Sequence, residues 1–135
     1  MSTHGTYTLG IRGHFDAAHF LRGYEGKCAQ LHGHRWEVEV QIEGSSLDTC
    51  GMLMDFGAVK FSLETLLEGI DHGLLNDREP FSTLNPTAEN IARELYKALK
   101  EKIPEGISLV HVKVWESPQA WAAYSEAPLQ NGALT

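Results

Sequence analysis

Cys28-Ala29-Gln30-Leu31-His32-Gly33-His34-Arg35-Trp36-Glu37-Val38-Glu39-Val40-Gln41-Ile42-Glu43 is the stretch from which the architecture can be read. From Arg35 onward it alternates without a break. Trp36, Val38, Val40 and Ile42 face one way, and Arg35, Glu37, Glu39, Gln41 and Glu43 the other. Period two with one apolar and one charged face predicts an antiparallel strand with one side on a core and one in water. The same parity runs back through His34 and His32, so both imidazoles are expected on the apolar side of the strand. Buried ring nitrogens need partners, and a metal ion would supply one. Gly33, with no side chain, would let the backbone pass close to such an ion. The plainer alternative is a turn with two solvated imidazoles.

Working outward, Tyr7 to His19 also alternates, with Tyr7, Leu9, Ile11, Phe15 and Ala17 on one side and His19 continuing that parity. Paired as a hairpin, the two strands would bring His19, His32 and His34 to one end. Three neutral imidazoles with an open fourth position suit a catalytic zinc site. Downstream, Val59, Leu63, Leu66, Leu67 and Ile70 make the apolar stripe of a helix running from Asp55 to about Gly69. Asn85-Pro86-Thr87 is a helix-start signal, followed by the stripe Ile91, Leu95, Ala98, Leu99 and Ile103 and closed by Pro104-Glu105-Gly106. Leu109 to Glu116 and Ala120 to Tyr124 predict a last strand pair about the turn Ser117-Pro118-Gln119, with Val110, Val112, Val114 and Glu116 on the buried parity. The expected fold is α+β: a four-stranded antiparallel sheet in the order ββααββ with two helices on one face. Its two free edges could be covered by oligomerisation.

The 135 residues carry no repeat, linker or low-complexity tract, so one domain spanning 1–135 is expected. A formal charge of −7 argues against nucleic-acid binding. No apolar run reaches membrane-spanning length, and Met1-Ser2-Thr3-His4-Gly5 lacks the features of a signal peptide. With only Cys28 and Cys50 present, a disulfide framework is not expected, and a cytoplasmic location is. Cys50 reads as an inert turn residue, and His14 and His111 as facing solvent or neighbouring strands.

Beyond single motifs, the chain resembles the 6-pyruvoyl-tetrahydropterin synthase family, in its bacterial 6-carboxytetrahydropterin synthase branch. The resemblance covers nearly the whole chain. It rests on Phe15-Asp16-Ala17-Ala18-His19, Cys28-x-x-x-His32-Gly33-His34, Gly51-Met52-Leu53-Met54-Asp55-Phe56, Asp71-His72, Leu75-Asn76, Asn85-Pro86-Thr87 and the late Glu116, in that order. The short Cys-to-His spacing is that of the bacterial branch. The resemblance implies a tunnelling fold, in which protomers join their sheets into a barrel as a trimer or a dimer of trimers, with active sites at subunit interfaces. It implies His19, His32 and His34 as zinc ligands, Cys28 as the catalytic thiol and Asp71 with His72 as a proton relay. Glu116 would anchor the pterin, and Thr87 would contact it.

The implied reaction converts 7,8-dihydroneopterin triphosphate to 6-carboxy-5,6,7,8-tetrahydropterin, releasing acetaldehyde and triphosphate, as in queuosine biosynthesis. The residue chemistry is compatible. A thiol can act as base if its pKa falls from about 8.5, an aspartate can fix the tautomer of a neighbouring imidazole, and a carboxylate can accept both donors of a pterin edge. Residue by residue, alternatives stay open. Cys28 could be a fourth ligand of a closed zinc-stabilised binding module, Asp71-His72 a solvated helix end, Thr87 only a helix cap and Glu116 a strand-end residue in water. Lys27, Arg12, Arg22 and Lys113 are candidates for the triphosphate. Glu25, three residues before Cys28, departs from the branch pattern, and the combined Glu and Cys motif resembles members serving a second pathway, cleavage of dihydroneopterin-type substrates to 6-hydroxymethyl-7,8-dihydropterin for folate synthesis, alone or as a second activity; the plainer alternative is a solvated glutamate in a Gly-flanked loop.

Overall fold

The strand foreseen at Arg35 to Glu43 begins three residues earlier and takes in both histidines of the doublet. In the computed structural model, which describes residues 5–127, β2 is His32–Gly44 and β1 is Tyr7–His19. The two pair antiparallel without a register break, from Tyr7 opposite Gly44 to His19 opposite His32. Residues 1–4, on which most of the no-leader reading rests, and 128–135 lie outside the described residues.

The alternation is realised as burial. Phe15, Trp36, Val38, Val40 and Ile42 are at most 1% exposed, while Arg35 and Glu37 on the opposite parity are exposed. The Phe15 and Trp36 rings stack across the strand pair with centroids 5.8 Å apart. A pair of this kind contributes about 0.5–1.5 kcal/mol beyond its buried area.

Helix α1 is Phe56–Glu68, capped by the Asp55 carboxylate, which accepts from the Gly57 N–H, and it buries Val59, Leu63 and Leu67. Helix α2 is Ala88–Lys100 and buries Ile91, Ala92, Leu95, Tyr96 and Leu99. Both lie on the apolar face: α1 against β1, and α2 against β4 (Ser108–Ser117) and β5 (Ala120–Tyr124). No helix among the described residues is long and apolar enough to cross a membrane.

Two features depart from the expected sheet. It has five strands rather than four, in the order β3-β1-β2-β4-β5, because Gly73–Leu74 adds a short β3 parallel to β1. Two residues carry no alternation, so period-based reading passes over them. In β4, Leu109 and not Val110 faces the core. The ladder with β2 shifts between Gln41 and Ile42, which stand opposite His111 and Leu109, leaving Val110 as the extra residue of a bulge. The parity after the bulge is as expected, with Val112 and Val114 fully buried.

Candidate functional site

Where the β1–β2 ladder ends, His19 and His32 stand opposite each other and His34 lies one side-chain step away on the same face. The ring centroids are 4.5 Å apart for His19–His32, 4.7 Å for His32–His34 and 5.2 Å for His19–His34. Beneath them, the Trp36 ring meets His19 and His34 edge-on at 4.8 and 5.2 Å. The stacked core aromatics are thus the floor of the site.

The hydrogen bonds fix which nitrogens are available. Nδ1 of His19 donates to the Pro86 carbonyl at 2.8 Å, and Nδ1 of His32 to the Gln30 carbonyl at 2.6 Å. A carbonyl only accepts, so both rings are Nδ1–H tautomers with an Nε2 lone pair. Those two Nε2 atoms face each other at 3.0 Å, a repulsive approach unless a cation lies between them. The His34 Nε2 is buried without a hydrogen-bond partner. Burial chiefly holds the pKa of both His19 and His34 below the usual imidazole range, which favours the neutral rings that bind a metal. The three side chains form a group able to hold a metal ion, with ligand atoms within 4.8 Å of one another. Three neutral imidazoles held by outer carbonyls are a fitting donor set for zinc.

Cys28 is not part of that trio, which disfavours the closed four-ligand module. It is half-buried in a short 3-10 turn, Lys27–Ala29, that opens with the exposed Lys27 and follows the exposed Glu25. Neither Glu25 nor Lys27 has a side-chain hydrogen bond or ion pair among the described residues. Glu116, at the end of β4, points its carboxylate to within 3.7 Å of the His34 Nε2. Both residues border a cleft of about 750 Å3 that also includes Arg12, Arg35 and Trp115.

Asp71 and His72 do touch. The His72 Nδ1 lies 2.8 Å from the Asp71 carboxylate, whose other oxygen accepts the Asp16 N–H at 2.8 Å. That backbone donor is the main cause, ahead of His72, of an Asp71 pKa below the usual carboxylate range. His72 takes a left-handed conformation, φ 56°, which folds its ring back onto the preceding residue. The pair forms a group with Asp16, distinct from the histidine trio. Asp16 itself is doubly hydrogen-bonded by Arg35, at 2.9 and 3.0 Å. Asp16 stands within the family-like Phe15–His19 motif, but sequence reading gave it no role. Its parity, opposite to that of His19, was the available signal.

Thr87 is the N-cap of α2, with its hydroxyl accepting from the Asn90 N–H at 3.1 Å. Thr87→Ala is therefore expected to lower stability by about 1 kcal/mol in a urea titration and to leave KM unchanged. A raised KM at unaltered stability would instead make Thr87 a substrate contact. Two triphosphate candidates are engaged on the outer sheet face. Arg12 lies over Trp115, and Lys113 lies 3.7 Å from the Trp121 ring centroid. His111 pairs there with Glu39 at 2.9 Å.

Comparison with known proteins gives a consistent picture. A family model described as 6-pyruvoyl tetrahydropterin synthase matches residues 8–127. A putative 6-carboxy-5,6,7,8-tetrahydropterin synthase of Archaeoglobus fulgidus is 37% identical over 114 residues, covering 84% of this chain and 91% of that one. The 6-carboxy-5,6,7,8-tetrahydropterin synthase of Haemophilus influenzae is 32% identical over 137 residues, covering 83% and 94%. Among solved structures, Caenorhabditis elegans 6-pyruvoyl tetrahydropterin synthase superposes with a TM-score of 0.82 at 28% identity, covering 94% of this chain and all of that one. The Plasmodium vivax 6-pyruvoyl tetrahydropterin synthase, at 20% identity and a TM-score of 0.72 over 90% of this chain and 98% of its own, shares the fold.

Proposed function

The chain belongs to the 6-pyruvoyl tetrahydropterin synthase family, and from that premise we propose that it is a zinc-dependent carbon–carbon lyase. The proposed reaction converts 7,8-dihydroneopterin triphosphate to 6-carboxy-5,6,7,8-tetrahydropterin, with release of acetaldehyde and triphosphate. The observation that carries the reading is the grouping of three imidazoles, with the Nε2 atoms of His19 and His32 3.0 Å apart, next to a substrate-sized cleft bordered by His34 and Glu116. The names borne by the relatives supply the substrate class.

His19, His32 and His34 would hold the zinc. When bound, the ion polarises oxygen substituents on the substrate side chain and so acidifies the neighbouring C–H bonds. Cys28 removes the carbon-bound proton as thiolate. Glu116 accepts the two-donor edge of the pterin. Asp71 remains an anion and keeps the His72 proton on Nδ1, so Nε2 of a ring with 77% side-chain exposure gives or takes the proton. The Asp71–His72 pair is a separate group from the histidine trio within one chain, and its exposure suits it to serve a neighbouring copy in a trimer or a dimer of trimers. Residues 1–135 act as one such domain, in the cytoplasm, on a route to queuosine.

Glu25 favours a second outcome, cleavage to 6-hydroxymethyl-7,8-dihydropterin for folate synthesis, because it is exposed on the Cys28 segment with no side-chain partner among the described residues. Incubation of the zinc-loaded protein with 7,8-dihydroneopterin triphosphate distinguishes the two by product. Acetaldehyde with carboxytetrahydropterin is expected. Hydroxymethyldihydropterin alone would replace the first reading with the second, and no turnover of either kind would remove both.

A further inference from the structure

Past His19 the β1–β2 ladder is finished, yet the chain does not come loose. Phe20 exchanges two hydrogen bonds with the Asn76 side chain: its N–H donates to Oδ1 at 2.9 Å and its carbonyl accepts from Nδ2 at 3.0 Å. Two residues on, Arg22 does the same with Asn85, at 2.9 Å in both directions. Between them, the Leu21 N–H points to the other edge and donates to the Cys28 carbonyl at 3.0 Å. In an extended chain the N–H and C=O of one residue point to the same edge, and successive residues alternate edges. Phe20, Leu21 and Arg22 therefore keep the alternating edges of a strand past the end of β1, up to the turn at Arg22–Gly23.

On one edge, the partners are not a strand. β3 pairs with Ala17 and Ala18 and then stops at Leu74. A carboxamide offers one acceptor and one donor group side by side, as a peptide unit does, and two of them take over where β3 leaves off. Neither is loosely held. Asn76 is 4% exposed. The backbone carbonyl of Asn85 accepts from the Thr87 N–H and the Asn90 side chain, both at 2.9 Å, within the first turn of α2. The next residue, Pro86, supplies the carbonyl that orients His19.

We infer that Asn76 and Asn85 are positioning residues: they hold the backbone of Phe20 and Arg22 beyond the end of β1, and through Leu21 they fix the backbone of Cys28 relative to the histidine trio. The consequence for catalysis rests on the reading of Cys28 as the thiol base. The clamp itself does not. A thiol that abstracts a carbon-bound proton must sit within a few tenths of an ångström of its working position, and a misplacement of about 1 Å can cost about 100-fold in rate. The segment between Gly23 and Lys27 is exposed throughout. Without the two amides, the Leu21 bond to Cys28 would be flanked by unpaired backbone groups, with the Arg22 guanidinium on the Phe81 carbonyl as the remaining anchor.

Two measurements test this. In the unmodified zinc-loaded protein, amide hydrogen exchange should show Phe20 and Arg22 protected to the level of β1 and at least tenfold more than residues 24–26. Equal exchange in the two sets would overturn the clamp without recourse to any variant. In Asn85→Asp, which retains an acceptor for the Arg22 N–H but presents no donor to its carbonyl, protection at Arg22 should fall at least tenfold while Trp36 and Val38 are unchanged. Zinc should stay at the level of the unmodified protein, kcat should drop about 10- to 100-fold and KM should move less than threefold. Asn85→Leu, which removes both groups, should be more severe in the same order. Unchanged protection, or a kcat within twofold of the unmodified protein, would refute the positioning role. Loss of zinc in step with activity would also refute it, by assigning the effect to His19 through Pro86. Failure of the functional reading is separable, since it appears as an unmodified protein without turnover, and the exchange measurement still decides the clamp.

Discussion

Replacing His19 with alanine is expected to strip the protein of its metal and to lower turnover by at least about a thousandfold. The ring is 1% exposed, its Nδ1–H is fixed by the Pro86 carbonyl, and its Nε2 faces that of His32. Removing it deletes one of three donors, and the two that remain cannot enclose an ion. Metal polarisation of a substrate oxygen is worth several kilocalories per mole, and about 4 kcal/mol corresponds to three decades in rate. The variant also leaves a hole against Trp36, so melting temperature should be followed alongside zinc content by elemental analysis. A folded His19→Ala protein with undiminished zinc and activity would place the metal, and with it the reaction centre, elsewhere.

Cys28→Ala separates binding from chemistry. Because Cys28 lies outside the histidine trio, zinc content should be unchanged. Loss of a general base costs about 10^2- to 10^4-fold, and the loss should fall on kcat. Loss of zinc in this variant would revive a four-ligand site, and retention of full turnover would leave the proton abstraction to another group, with Glu25 the first to examine. The two variants together tell the metal apart from the base: the first should lose both zinc and rate, the second only rate.

The parts of this molecule that could be read from sequence are those governed by a regular period, of the strands and of the two helices. Trp36, Val38, Val40 and Ile42 bury themselves where alternation puts them, and His19, His32 and His34 converge because they share that parity on paired strands. What escaped has local causes. A bulge at Val110 moves Leu109 inward, and two adjacent apolar residues give no sign of which will do so. Neighbours on an extended chain point apart, so the Asp71–His72 contact depends on a left-handed φ at His72, which no motif states. The two asparagine clamps join residues 56 and 63 positions apart through side chain to backbone bonds, and such pairings leave no periodic trace. The product and the form of the assembly came through resemblance, whereas the zinc site was already suggested by the shared parity of His19, His32 and His34.

One rung of the sheet has a broader implication. His19 and His32 are directly opposite, so the chain leaves and rejoins the histidine trio at the same level, and residues 20–31 form an excursion closed at both ends. Length changes inside that excursion need not disturb the ligand set, whereas a one-residue insertion between Phe15 and His19 would turn His19 to the other face. The fold thus seats the three histidines on the sheet and places Glu25, Lys27 and Cys28 on the excursion between His19 and His32.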